Sequence, residues 1–138
     1  MERHDYSDLK SSVYPKYLMT VLLVLMEDLI ASLIKYTTKN EHTGLYTVMP
    51  EHIKYALARD EMNQVFIKYV AKYNKQMNYK DLVFINMRKI VNSLEVKNGQ
   101  KLMVDNEAFN MICYLFSSLQ YDVIDLSIKF VKYSKKCT

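Results

Sequence analysis

The chain has 138 residues, half of them hydrophobic and a quarter charged, which suits one ordinary globular domain rather than a disordered segment. It holds only two glycines and two prolines, against about ten and seven at average usage. This scarcity excludes sandwiches and barrels built on many tight turns, and a Gly-rich phosphate loop. The formal charge is +4, split unevenly: residues 1–61 carry seven Lys/Arg against nine Asp/Glu, and residues 62–138 carry twelve against six. A mildly basic, lysine-rich balance permits contact with phosphates but not arginine-type bidentate base reading.

Residues 1–14 are polar and read as irregular or a short helical turn. Pro15 suits a first helical turn, and Tyr17, Val21, Leu22, Leu25, Leu29, Leu33 and Tyr36 have helical spacing over residues 16–38. Residues 18–26 are apolar on nearly every face, which predicts a deeply buried central helix. Residues 40–44 break it, and Thr47-Val48 reads as a brief extended piece. Pro50 and Glu51 open a short helix that ends or bends at Arg59-Asp60-Glu61. Beyond it, Met62, Val65, Phe66, Tyr69 and Tyr73 are expected on one face of an amphipathic stretch.

Residues 75–80 form a polar joint. A helix is expected over residues 82–94, with Val83, Met87, Ile90, Val91 and Leu94 as its stripe, then a loop around Gly99. Asp105 reads as the N-cap of a long final helix, in which Ala108, Met111, Ile112, Leu115, Leu119, Val123, Leu126 and Phe130 repeat at three and four. The fold class is therefore all-α.

Catalytic constellations are weak. His4, His42 and His52 pair with neither cysteine nor one another at metal-ligand spacing. Glu27 and Asp28 are helix neighbours that diverge rather than share a site. The nine methionines and twelve tyrosines fit a core better than a cofactor box. We expect no enzyme, no metal and no cofactor. Cys113 and Cys137 do not make a disulfide framework and suit a reducing compartment. The run at residues 18–26 is followed by acids where a signal cleavage site needs small residues, so a secreted protein is not expected, and those acids also rule out a bilayer span. Lysines with Arg88 and Lys89 near a helix and the following loop make a usable phosphate-contacting surface.

One segment is more specific. The helix KYLMTVLLVLMEDLIASLIKYTTKN followed by YTVMPEHIKYALARDEMNQ resembles the central helix, second loop and third helix of histone two-A. The matching residues are Tyr17 and Leu18, the spacing of Val21, Leu25 and Leu29, then Thr47-Val48, Pro50, His52, Ala56-Leu57 and Asp60-Glu61. The second half is similar to histone two-B: residues 83–94 as its first helix, 97–104 as its first loop, and 105–136 as its central helix. Together they resemble a histone doublet of the kind found in large DNA viruses, with residues 1–76 and 77–138 as two halves of one compact domain.

The resemblance implies a histone-fold pseudodimer in which two long helices cross and bury each other. It implies an architectural, non-catalytic protein associated with duplex DNA, and with other histone-like chains or itself, in the nucleus or cytoplasm of an infected cell or in the virion. It implies that Lys97 and Lys101 lie near Lys39 and Thr47, because the loop before one long helix lies beside the loop after the other; with Arg88 and Lys89 of the basic cluster these are the candidate DNA-contacting residues. Asp28, Asp60 and Glu61 match part of that family's acidic docking patch, while Ala31 and Met62 stand where further acids are usual. The chain departs from the pattern in lacking a full first helix in the first half, a second loop and third helix in the second, long basic tails, and minor-groove arginines. Two other readings stand beside it. One is a histone-fold transcription regulator using the apolar surface left bare by the missing helix. The other is a viral Bcl-two-like helical module that binds host death or signalling proteins.

Overall fold

A computed structural model of the chain describes residues 14–82, 96–97 and 99–136. Residues 83–94 of the expected helix, with Arg88 and Lys89, and residues 1–13 lie outside the described residues. The protein is mostly helical. Its elements are α1 (Tyr14–Tyr36), β1 (Thr47–Val48), α2 (Pro50–Arg59), a 3-10 segment (Glu61–Phe66), α3 (Ile67–Val70), a second 3-10 turn (Lys80–Leu82), β2 (Val96–Lys97), β3 (Gln100–Lys101), β4 (Met103–Val104) and α4 (Asn106–Lys136).

α1 and α4 form the frame. At 1.5 Å rise per residue they are about 35 and 47 Å long. The strand after α1 pairs in parallel with the strand before α4, Thr47 opposite Met103 and Val48 opposite Val104. This pairing sets the segment that follows α1 beside the segment that precedes α4. One core joins both halves of the chain: Leu22, Met26, Leu29 and Leu33 of α1, Ile53, Ala56 and Leu57 of α2, Phe66, Tyr69 and Tyr79, and residues 111–116 of α4. Phe66 meets Phe116 edge to face, with ring centroids 5.0 Å apart, a geometry favoured by the ring quadrupole.

Three expectations are corrected. First, residues 18–26 are not buried all round. Leu22 and Met26 face the core, but Val21, Leu23 and Val24 are 37%, 38% and 52% exposed. The buried positions 22, 26, 29 and 33 trace a single stripe, which one packed side produces. The helix buried on every side is α4, where residues 110–120 are all buried, including Asn110, Ser117, Ser118 and Gln120.

Second, Met62 and Val65 do not share a face with Phe66 and Tyr69. The chain there is a 3-10 helix leading into one α-turn. Three residues per turn line up positions three apart, so Asn63, Phe66 and Tyr69 are buried while Met62 and Val65 are exposed.

Third, residues 97–101 are a hairpin and not an irregular loop. Val96 pairs with Lys101 and Lys97 with Gln100, antiparallel, and Gly99 has φ +81°, a left-handed conformation that strains any residue carrying a Cβ.

The polar joint is pinned rather than loose. Asn110 of α4 accepts from the Tyr79 amide at 2.8 Å and donates to the Met77 carbonyl at 2.7 Å and to the Tyr73 hydroxyl at 3.3 Å. Tyr79 packs on Tyr114 at 4.7 Å. A buried asparagine thus satisfies the backbone of the segment that links the two halves. Asp105 caps α4, its carboxylate accepting from the amides of Glu107 and Ala108 at 3.1 and 3.4 Å.

Candidate nucleic-acid interface

The surface begins where α1 stops. Thr37 closes the helix with its amide on the Leu33 carbonyl at 2.9 Å. Asn40 then starts a turn, its side-chain oxygen accepting from the amides of His42 and Thr43 at 2.8 and 3.3 Å. Such side-chain bonds replace the missing backbone turn. Gly44, at φ +72°, completes the reversal, and Lys39 and Tyr46 face each other in an antiparallel bridge.

Tyr46 leads directly into β1, and the Met103 amide donates to its carbonyl at 2.8 Å. The Asp105 amide donates to the Val48 carbonyl at 3.0 Å. Three segments, around Lys39, Thr47 and Met103, therefore lie side by side, about 5 Å apart per step. Val48 is fully buried and anchors the ladder to the core.

Lys39 and Thr47 lie on this ladder, and Lys101 stands two residues before its third segment; Lys39 and Lys101 are exposed and Thr47 is half-buried. Lys97 lies on the hairpin strand opposite Gln100, one step along from the Val96–Lys101 pair. Arg88 and Lys89 fall outside the described residues. The arrangement offers separate lysine charges on a backbone-rigid edge, which suits phosphate contact and carries no base-reading fork.

The three acidic positions divide. Asp60 is taken up internally: one carboxylate oxygen accepts from the Ser32 hydroxyl and the other from the Tyr36 hydroxyl at 2.6 Å. These hydrogen bonds hold its carboxyl below the usual carboxylate range, Ser32 contributing most. Ser32 also meets the Asp28 backbone carbonyl at 3.2 Å and accepts from Asn63 at 2.9 Å. The cluster links the backbone carbonyl of Asp28 to the Asp60 carboxylate through Ser32, and it braces α1 against the corner after α2. Glu61 is exposed at the start of the 3-10 segment. Sequence reasoning missed Ser32, Tyr36 and Asn63. The available signal was Ser32 itself, a polar residue between Leu29 and Leu33 on the buried stripe.

Cys113 is buried in α4, and burial pushes its thiol up to about 11, so it is a poor nucleophile. Among the described residues, no three His, Cys, Asp or Glu side chains gather as metal ligands, and no helix is long and apolar enough to cross a membrane. Two open clefts of about 410 and 490 Å³ flank residues 74–77. Both mix lysines with Glu107, and they offer no concentrated charge. No family model, curated protein or solved structure matches the chain.

Proposed function

We propose that this chain is a non-catalytic histone-fold protein, two half-folds joined in one chain, that binds the phosphate backbone of duplex DNA without reading sequence. The observation that carries the reading is the parallel pairing of β1 with β4. It sets the segment after one long helix beside the segment before the other, and we take Lys39, Thr47, Lys97 and Lys101, on or next to these segments, as the phosphate-contacting residues. Joining the halves keeps each at high effective concentration for the other, and the mixed core fits that arrangement. The lysine-rich, arginine-poor surface points to weaker and less intimate contact than that of a packaging histone. Asp28 and Glu61 remain candidates for an acidic docking surface, with Asp60 acting mainly as its internal brace.

Duplex binding followed across salt concentration tests this reading. Three lysine–phosphate contacts predict log K falling against log salt with a slope of about −3. Undetectable binding at low salt, or binding indifferent to salt, would exclude it.

A second reading has its own observation. Val21, Leu23 and Val24 form an exposed apolar strip on the outer side of α1, of the kind that protein partners cover. It favours a histone-type assembly or protein-interaction role with little DNA contact. Sedimentation across protein concentration separates the two, since this second reading requires self-association or a tightly bound partner chain.

A further inference from the structure

The ladder carries exposed apolar side chains as well as lysines. Successive residues of a strand face opposite sides, and burial alternates accordingly before α4: Lys101 is exposed, Leu102 is buried and Met103 is 47% exposed. On the other strand Val48 is fully buried, and Leu45, three residues earlier, is 41% exposed. Thr47 stands opposite Met103 in the parallel register, and Leu45 precedes Thr47 by two residues. Lys39 is bridged to Tyr46 next to them. The backbone beneath is tied, since the Met103 and Asp105 amides donate to the Tyr46 and Val48 carbonyls at 2.8 and 3.0 Å. Single apolar residues at a surface need no explanation. Leu45 and Met103 differ because they sit on one hydrogen-bonded edge together with cations. A ligand for that edge needs negative charge at its rim and apolar, stackable surface within. The groove of a duplex has both, with phosphates along its walls and sugar carbons and base faces inside.

We propose that Leu45 and Met103 form a wedge that enters the minor groove and bends the duplex, an inference that rests on the phosphate-binding reading above. Leucine and methionine pressed between base steps partly unstack them and kink the helix by about 20–90° toward the major groove. The minor groove is the fitting one. Only side-chain tips have to enter it, which a width of about 6 Å admits, and its hydrogen-bond code is degenerate, so apolar contact counts for more there. The described edge offers no arginine fork that would profit from the major groove. Bending by a wedge favours steps that unstack cheaply, TA and CA/TG, over stiff A-tracts. The protein therefore selects DNA by deformability while leaving base identity unread.

Energy transfer between dyes on the two ends of a short duplex with a central TA step reports the bend. Binding of the full chain at low salt should raise it, and the TA duplex should bind at least about fivefold more tightly than an A-tract duplex of the same length. Leu45→Ser/Met103→Gln keeps the lysines, and its urea midpoint should match that of the wild type because both sites are exposed. This variant should still bind with the same salt slope, but without the rise in energy transfer and without the preference for TA. Met62→Gln/Val65→Ser, at exposed apolar positions of the 3-10 segment, should retain both. A bound duplex that stays straight, a bend that survives Leu45→Ser/Met103→Gln, or a bend lost equally in Met62→Gln/Val65→Ser would overturn the wedge and leave phosphate binding standing. A wild-type dimer without DNA that Leu45→Ser/Met103→Gln abolishes would assign the edge to a second copy of the chain and overturn it too. Absence of duplex binding at low salt would remove the phosphate-binding reading, and the wedge with it.

Discussion

α1 and α4 are both long and rich in apolar residues, yet they are buried in opposite ways. α4 carries Asn110, Ser117, Ser118 and Gln120 inside the protein, whereas α1 leaves Val21, Leu23 and Val24 outside. Apolar content therefore did not decide which helix is central. The number of neighbours did. α4 is met by α1, α2, α3 and the pinned joint at once, and its small or amide side chains let those neighbours approach. α1 is packed along one side, where α2 and the 3-10 segment reinforce only its second half through Ser32, Asp60 and Asn63.

This contrast can be broken by substitution. Phe116→Ala removes a fully buried ring packed edge to face on Phe66 and should cost about 3–5 kcal/mol, measured by urea unfolding. Val24→Asp, although it places a charge in an apolar run, should stay within about 0.5 kcal/mol because the site is exposed. Comparable losses at the two positions would mean that the outer side of α1 is covered.

Asn110→Ala removes the side chain that satisfies the joint and leaves the Tyr79 amide buried without a partner. A loss of about 2–3 kcal/mol is expected, with faster proteolysis at residues 74–80. Tyr69→Phe is milder. It deletes the 2.5 Å hydrogen bond to the Asp122 carboxylate, which also lies 3.6 Å from Lys68, and should cost about 1 kcal/mol. The smallest effect concerns acid. Asp60 is held below its ordinary range, so its contribution is present above about pH 4 and fades as pH falls below that. Asp60→Asn should flatten that part of the stability–pH curve.

Much of the framework was legible. The core stripe of α1, Pro50 opening α2, the Asp105 cap and the length of α4 all follow from spacing and end signals. Other features were not, for identifiable reasons. A 3-10 segment changes the period from 3.6 to 3.0, which moved Met62 and Val65 to the surface. The dipeptide Asn98-Gly99 is a hairpin signature, but two-residue strands are too short to announce themselves by alternation. The hydrophobic repeat marks one stripe of α4, but Asn110, Ser117, Ser118 and Gln120 are buried beside it, so no apolar pattern announces burial on every side. At the proposed interface, Lys97 and Lys101 stand out as part of a basic cluster, whereas Lys39 and Thr47 come from the resemblance; the four are Lys39, Thr47, Lys97 and Lys101 in chain order. The neighbourhood of the first, second and fourth depends on a backbone ladder between residues more than fifty apart.

The central claim is that phosphate contact is concentrated at this ladder rather than spread over a basic protein. Duplex DNA affinity at low salt should be measured for Lys39→Glu/Lys101→Glu and for Lys129→Glu/Lys132→Glu, exposed lysines near the C-terminal end of α4. Both variants change net charge equally. The account predicts a loss of at least about tenfold for the ladder variant, equivalent to 1.4 kcal/mol, and a much smaller loss for the other. Equal losses would assign binding to net charge alone and contradict the account.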